Sequence, residues 1–271
     1  YLVSLASDET DEDEEDDREA IILNSLKLQH ALLLKRGMAE EAQRFALEKL
    51  SYEGMRRLAF DHALETKDFS LAERLVKQNE ESDYRTFGAI DWGSLLFRVY
   101  QESGNKGEMR SLAKEFLLHD DLSYYPKLKA SYDENEWGEV LDSLLDELER
   151  RSDEKSSSVF RKNPYPEILK AEAKYKRLLT YIQKNPSLVQ SYQDVLLPTY
   201  KDAVFELYRK NILSDGEAAT SRNAYKALAL LLKELVVIGG GSVAEECLTS
   251  LESRYSKRPA MRDEIEKVGL L

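Results

Sequence analysis

Apolar residues that recur every three or four positions are the feature that most constrains what this chain can fold into. Between residues 166 and 184 they stand at Ile168, Ala171, Tyr175, Leu178 and Ile182. An α-helix brings positions with this spacing onto one face, so the series predicts a single helix with one buried side. The same spacing returns near the C-terminus, and the 271 residues include only 12 Gly and 6 Pro, too few for many strands joined by tight turns. The sequence therefore predicts an all-α fold.

Three pairs of predicted helices are each joined by a short polar turn. The pairs cover residues 55–78, 92–118 and 124–148, and their turns are predicted at 67–68, 104–105 and 135–136. Asp68, Asn105 and Glu136 mark these turns, at separations that bracket the roughly 34 residues of a tetratricopeptide-type helical hairpin. This repeat predicts an α-solenoid, that is, a TPR-like array of helical hairpins wound into a right-handed superhelix.

Stacking of the hairpins is the expected source of stability, because one hairpin cannot cover its own apolar face. We expect Leu71, Leu112 and Leu144 to be buried between neighbouring hairpins. Capping boxes of the form Ser-x-x-Glu begin at Ser70 and Ser242, and each predicts the start of a helix at that serine.

The negative charge of the chain is concentrated near its N-terminus. Nine acidic residues and no basic residue occupy positions 8–17, whereas the formal net charge of the whole chain is −12. Such a run repels itself and has nothing to bury, so we expect a disordered acidic linker over residues 1–19 that is dispensable for folding. A decoy for basic partners or for metal ions is the alternative. The helical-repeat domain is then expected over 20–271, with a possible sub-boundary near 150–165.

Few residues of the chain suggest a disulfide, a metal site or a catalytic site. Cys247 is the one cysteine, so no intrachain disulfide forms, and no apolar run reaches the roughly 18 residues of a membrane span. His30, His62 and His119 show no metal-ligand spacing; His119 is expected at a helix end. We expect a cytoplasmic protein that is not an enzyme, with no cofactor, catalytic residue, metal site or membrane contact in this segment. The chain begins at Tyr1 rather than methionine, and we expect it to be part of a longer protein.

A glycine-rich segment at residues 233–247 offers the strongest resemblance to a catalytic or phosphate-binding motif. A strand, a glycine loop and a helix in that order would cradle phosphate, and Ser242 approximates the nucleophile of a strand-to-helix elbow. Both interpretations need a parallel sheet, which the rest of the sequence does not predict. We therefore expect Gly239 to cap one helix at its C-terminus and Ser242 to cap the next at its N-terminus.

One group of basic residues is the candidate partner-contact site: Lys170, Lys174, Arg177 and Lys184. On a single helix these residues would share the face opposite the apolar series. They could contact phosphate or an acidic partner, or form an ordinary solvated face. The near-neutral charge of the chain outside the acidic run favours the solvated face and makes a nucleic-acid surface the weaker expectation.

Residues 112–148, 221–235 and 254–270 resemble the C-terminal helical region of bacterial SWIM zinc-finger proteins, and the resemblance extends from about residue 58 to the end. In that family a C-x-C…C-x-H finger precedes the helical region and is thought to bind DNA or protein. This sequence contains no such ligands, so the resemblance implies zinc upstream of Tyr1 and none here. It implies a bacterial, cytoplasmic scaffold module that binds a protein partner; an accessory nucleic-acid-binding domain beside the finger is the alternative.

Overall fold

The computed structural model of the chain describes residues 5–78, 91–154 and 163–270, with side chains for 18–78, 91–152 and 163–270. Within these residues the secondary structure is helical and contains no strand, which confirms the all-α prediction. The described chain divides into two compact units. The first runs to His119 and includes Ser123–Asp133, and the second comprises Asp120–Leu122 and the described residues from Glu134 onward.

The first unit consists of helices that each pack against the next one in the chain. They are α1 (Leu5–Lys35), α2 (Ala39–Leu47), α3 (Glu53–Glu65), α4 (Phe69–Lys77), α5 (Trp92–Ser103), α6 (Lys106–Leu118) and α7 (Tyr125–Ala130). Aromatic side chains join helices further apart in sequence. Trp92 Nε1 donates a hydrogen bond to Glu53 Oε1 at 3.0 Å, and the Trp92 ring meets Phe60 edge-on, which ties α5 to α3.

The second unit contains the seven remaining described helices. They are α8 (Glu134–Glu154), α9 (Pro164–Ala171), α10 (Tyr175–Lys184), α11 (Val189–Ala218), α12 (Arg222–Val237), α13 (Gly241–Tyr255) and α14 (Pro259–Lys267). Helix α11 bends at Pro198, after which Tyr200 leaves helical geometry with φ −125°. Arg258 donates to the carbonyl oxygens of Gly216 and Ala219 at 2.8 and 3.0 Å. These contacts satisfy acceptors at the C-terminal end of α11, which a helix cannot pair internally.

Short polar side chains begin the second helix of the first two predicted hairpins. The carboxylate of Asp68 accepts from the backbone N–H of Leu71, and the amide oxygen of Asn105 accepts from that of Glu108. These two hairpins are confirmed, with turns within two residues of the predicted positions. The predicted capping boxes are wrong, because Asp68 rather than Ser70 caps α4 and α13 begins at Gly241, one residue before Ser242.

The third predicted hairpin is wrong. Its turn was expected at 135–136, but α8 begins at Glu134. Helix α7 is six residues long and packs against α6 in the first unit, whereas α8 belongs to the second. A six-residue helix presents less than two turns of surface, too little to form half of a hairpin. The described residues of the segment near 150–165, the predicted sub-boundary, lie within the second unit.

The single helix predicted over residues 166–184 is two helices. Helix α9 ends at Ala171 and α10 begins at Tyr175, with Ala173 between them in the left-handed region at φ +52°. No glycine or proline marks this break, and the apolar spacing continues across it, so the sequence pattern does not reveal where one helix ends and the next begins. Ile168, Leu178 and Ile182 are buried, but Ala171 is exposed.

The acidic run at 8–17 lies within the bounds of α1, but its side chains are outside those that the structure describes, so the linker over residues 1–19 stays a prediction. Helix α1 continues N-terminally from the part that packs on the first unit. The dispensability of the acidic run for folding stays a prediction.

Leu112 provides a test of how the helices of the first unit support one another. It is buried in α6, a helix that packs against both α5 and α7. We expect Leu112→Asp to lower the free energy of unfolding by more than about 3 kcal/mol, because the carboxylate would be buried without a partner. Ser111→Asp changes the adjacent exposed position and should cost less than about 0.5 kcal/mol. Urea denaturation of both variants would measure this difference, and equal stabilities would contradict the packing.

Candidate interaction surfaces

The four basic residues of the predicted contact site lie on α9, α10 and the turn between them, and each pairs with an acidic residue of the second unit. Lys170 Nζ lies 3.1 Å from Asp194 Oδ2 of α11, and Lys174 Nζ lies 3.2 Å from Asp142 Oδ1 of α8. Lys184 Nζ lies 4.0 Å from a carboxylate oxygen of α8. The basic side chains are partly exposed, but their charges are directed at neighbouring helices.

Arg177 is at the centre of the strongest part of this network. Its guanidinium donates to Asp146 Oδ1 at 2.9 Å and to Glu149 Oε2 at 2.8 Å, both on α8. Tyr165 Oη donates to the same Glu149 oxygen at 2.9 Å. Burial would raise the pKa of Glu149, but the hydrogen bonds from Arg177 and Tyr165 outweigh burial and lower it. Burial raises the pKa of Tyr165 to about 12, so the phenol stays protonated and remains a donor.

The basic group therefore joins helices within the second unit rather than presenting four uncompensated charges. An exposed pair of this kind contributes little energy, about 0–1 kcal/mol, but it also removes charge that a phosphate ligand would need. A cavity of about 330 Å³ opens beside Lys174 and Arg177 and reaches Tyr200 at the α11 bend. Lys176 also lines this cavity and makes no ion pair among the described residues.

The glycine-rich segment is a turn between two helices. The residues before it form α12, so the strand required by a phosphate loop or a nucleophile elbow is replaced by a helix. Gly239 has φ +93°, and Gly240 N–H donates to the Leu235 carbonyl oxygen at 2.8 Å, which confirms the predicted glycine cap. A Cβ at Gly240 would lie 2.3 Å from Leu235 Cδ1. Backbone conformation and packing thus explain these two glycines.

In the first unit, α1 is the helix that leaves the most apolar side-chain surface exposed. It packs mainly against α2 and α3. Its contact with α3 is close, since an added Cβ at Gly54 would lie 3.0 Å from Leu23 Cδ1. His30 is buried on the same side, whereas Leu26 and Leu33 are half-buried. Although residues 21–34 are rich in Leu and Ile, none of the apolar side chains in this stretch is fully buried.

The opposite side of α1 carries an exposed apolar surface, here called the α1 face and defined by Ile21, Leu28 and Leu32. Their exposed fractions are 65%, 62% and 48%. The separations of seven and four residues place all three on one side of the helix. Ser25 lies among them, but its hydroxyl donates to the Ile21 carbonyl oxygen at 3.0 Å and so is satisfied within the helix.

The sequence prediction missed the α1 face, although a signal for it exists. Residues 20–34, AIILNSLKLQHALLL, are apolar on more than one side of a helix. A helix of that kind is buried all round or has a second partner, and the described residues supply neighbours mainly on one side, from α2 and α3. A smaller exposed patch lies on α12, where Leu230 and Val237 are seven residues apart.

Four further predictions concern Cys247, His119, metal sites and membrane spans. Cys247 is buried as expected, and burial raises the pKa of its thiol to about 11. His119 caps the C-terminus of α6, at a helix end as predicted. Across the described residues, no group of three or more His, Cys, Asp or Glu is arranged to hold a metal ion. None of the helices described is both long enough and apolar enough to span a bilayer.

Comparison of the chain with protein-family models and with curated protein sequences found no match.

Arg177 and Lys174 allow the structural role of the basic group to be measured. We expect Arg177→Ala to lower the free energy of unfolding by about 1–3 kcal/mol, because it removes two charge-assisted hydrogen bonds and leaves half-buried Glu149 without its main partner. Lys174→Ala removes one exposed pair and should cost less than about 1 kcal/mol. Thermal or urea unfolding would measure both; the reverse order would contradict this assignment.

His30 should make the packing of α1 dependent on pH. Burial, with a smaller contribution from the charge of His62, lowers the pKa of His30 below its ordinary 6.5. The folded state therefore binds fewer protons than the unfolded state, so this contribution to stability is complete above about pH 6.5 and is lost as the pH falls below it. His30→Leu should flatten the dependence without loss of stability at pH 7.5, because Nε2 makes no hydrogen bond among the described residues.

Urea unfolding of the wild type and of His30→Leu at pH 7.5 and pH 5.0 would test this expectation. Both proteins contain the same other titratable groups, so the difference between their pH profiles reports His30 alone. Identical profiles would show that His30 is not the group responsible.

Proposed function

We propose that this chain is a non-catalytic interaction module that binds a protein partner through the α1 face. The observation that carries the proposal is the exposure of Ile21, Leu28 and Leu32 together on one side of α1. Single exposed apolar residues are common on protein surfaces, but a contiguous apolar face is typical of a binding site for another macromolecule. The packing of successive helices supplies a rigid support for this face.

The stacked arrangement of helical hairpins belongs to the same proposal. Two confirmed hairpins, α3–α4 and α5–α6, follow one another in the first unit, and α4 packs directly against α5. Such contacts between neighbours are the elementary step of an α-solenoid or TPR-like array. We propose that the chain is a scaffold of this type and corresponds to the helical region that follows the zinc finger in SWIM proteins. The zinc would then be bound upstream, with no cofactor in this segment.

The alternative function is an accessory nucleic-acid-binding domain that uses Lys170, Lys174, Arg177 and Lys184. The ion pairs of these residues disfavour it, because a phosphate would have to compete with carboxylates already 2.8 to 4.0 Å away. Lys176 beside the cavity is the one observation that favours it. The alternative can therefore be tested at the surface formed by these four basic residues and Lys176.

Affinity capture with three variants would distinguish the two functions. The first variant, Ile21→Ser/Leu28→Ser/Leu32→Ser, removes the apolar side chains of the α1 face. The second variant, Lys170→Ala/Lys174→Ala, removes two basic charges of the candidate contact site. The third variant, Leu230→Ser/Val237→Ser, makes the same kind of change on α12 and is the control. We expect a specific protein partner that binds the wild type, the second and the third variants but not the first. The partner would then be purified and the loss of affinity, at least tenfold, measured in solution.

Nucleic-acid binding is read separately by fluorescence anisotropy with labelled DNA and RNA at 50 and 200 mM salt. Binding that weakens steeply with salt and disappears in the Lys170→Ala/Lys174→Ala variant would establish the alternative. Circular dichroism and thermal unfolding confirm that each variant is folded, which we expect because all changed side chains are at least partly exposed. A partner that binds all variants equally would reject the α1 face as the binding site.

A further inference from the structure

We propose that the α1 face docks a basic amphipathic helix of a partner protein, and that the acidic run at 8–17 selects this partner by its charge. The inference rests on the proposed function and adds the chemistry of the partner. It combines two observations: the exposed apolar side chains of Ile21, Leu28 and Leu32, and the continuity of α1 from that face into the acidic run.

The apolar half of the proposed site has the dimensions of a helix contact. Ile21 and Leu32 are eleven residues apart, which corresponds to about 16 Å along a helix that rises 1.5 Å per residue. Three large side chains at separations of seven and four residues match the contact seam between two packed helices, on which apolar residues recur every three to four positions. The hydroxyl of Ser25 bonds to its own helix and therefore does not place an unsatisfied polar group in this contact.

The acidic half lies on the same helix one turn earlier. Residues 8–17 carry nine carboxylates, and their backbone continues α1 over about a further 15 Å. Complementary charge increases the rate of association and rejects partners of the wrong sign, whereas apolar contact supplies most of the affinity. A partner that covers both halves needs apolar residues on one face at one end and Lys or Arg at the other, over a helix of about 25 residues.

Charge disfavours three other occupants that an apolar face could have. An anionic lipid surface and a nucleic acid would both be repelled by the acidic run. A second copy of the chain in parallel orientation would place one acidic run beside the other, at a cost that rises as salt is lowered. A cationic amphipathic segment is the occupant that gains from both halves of α1.

The probe for this proposal is a synthetic 25-residue peptide with leucines at heptad spacing in one half and lysines in the other. Its binding to the full chain is measured by fluorescence anisotropy at 50 and 200 mM salt. A control peptide has the same composition, but its leucines are distributed around the helix. We expect the first peptide to bind at least tenfold more tightly than the control, with affinity that falls as salt rises.

Two variants test the apolar half and the acidic half of the site separately. Ile21→Ser/Leu28→Ser/Leu32→Ser should weaken peptide binding at least tenfold and retain its salt dependence. Changing every Asp and Glu of residues 8–17 to Asn and Gln should also weaken binding at 50 mM salt and should remove most of the salt dependence. Leu230→Ser/Val237→Ser should leave binding unchanged. The second variant changes no side chain of the α1 face, so it tests the proposal even if the first fails to fold.

Three outcomes would overturn the inference. The first is that the leucine–lysine peptide binds no better than its control, or binds equally to all variants. The second is a dimer, detected by sedimentation, that the α1-face variant abolishes while the peptide does not bind. The third is binding of the chain to phosphatidylcholine–phosphatidylserine vesicles through the same face. The affinity capture described above makes no assumption about partner charge, so the proposed function can stand when this inference fails.

Discussion

Burial of one apolar face of each helix against a neighbouring helix is the interaction on which the structure of both units depends. Helices shorter than about 15 residues are marginal in water, and most described helices of this chain are shorter than that. Their stability therefore comes from contact with neighbours. Because most of those neighbours are adjacent in the chain, each helix end and each turn helps to decide which faces meet. Short caps such as Asp68 and Asn105 therefore have structural importance beyond their own hydrogen bonds.

The same principle explains why α1 retains an exposed apolar face. A helix with neighbours on both sides buries its apolar residues on both, as α5 does with Phe97 and Val99, which are two residues apart and so face opposite sides. Among the described residues, α1 packs mainly against α2 and α3, so His30 is buried and Leu23 is half-buried, whereas Leu28 is exposed. Exposed apolar surface that no described residue covers is costly for an isolated chain, and this cost is what makes a binding partner physically reasonable.

Charge has two separate uses in this protein. In the second unit, Arg177 and its acidic partners hold α10 against α8, and the half-buried Tyr165 fixes one of those carboxylates. Near the start of α1, nine carboxylates follow one another without a basic residue. The first arrangement is internal and compensated, whereas the second is a run of like charge with no basic residue within it. The distribution of charge in space, and not the net charge of −12, therefore decides which surface can attract a ligand.

The sequence by itself determined the all-α class, the two hairpins of the first unit, the glycine cap at Gly239 and the burial of Cys247, because spacing and turn chemistry act over a few residues. Only the tertiary structure decided the features that depend on distant neighbours. Ala173, in the left-handed region, interrupts a continuous apolar series and separates α9 from α10, which pack against each other. The short α7 joins the first unit, whereas α8 joins the second. Lys170 and Arg177 look free in the sequence, since their acidic partners lie 24 to 31 residues away. The α1 face was equally hidden, because a pattern of apolar residues shows that surface must be buried but not whether the chain supplies enough helices to bury it.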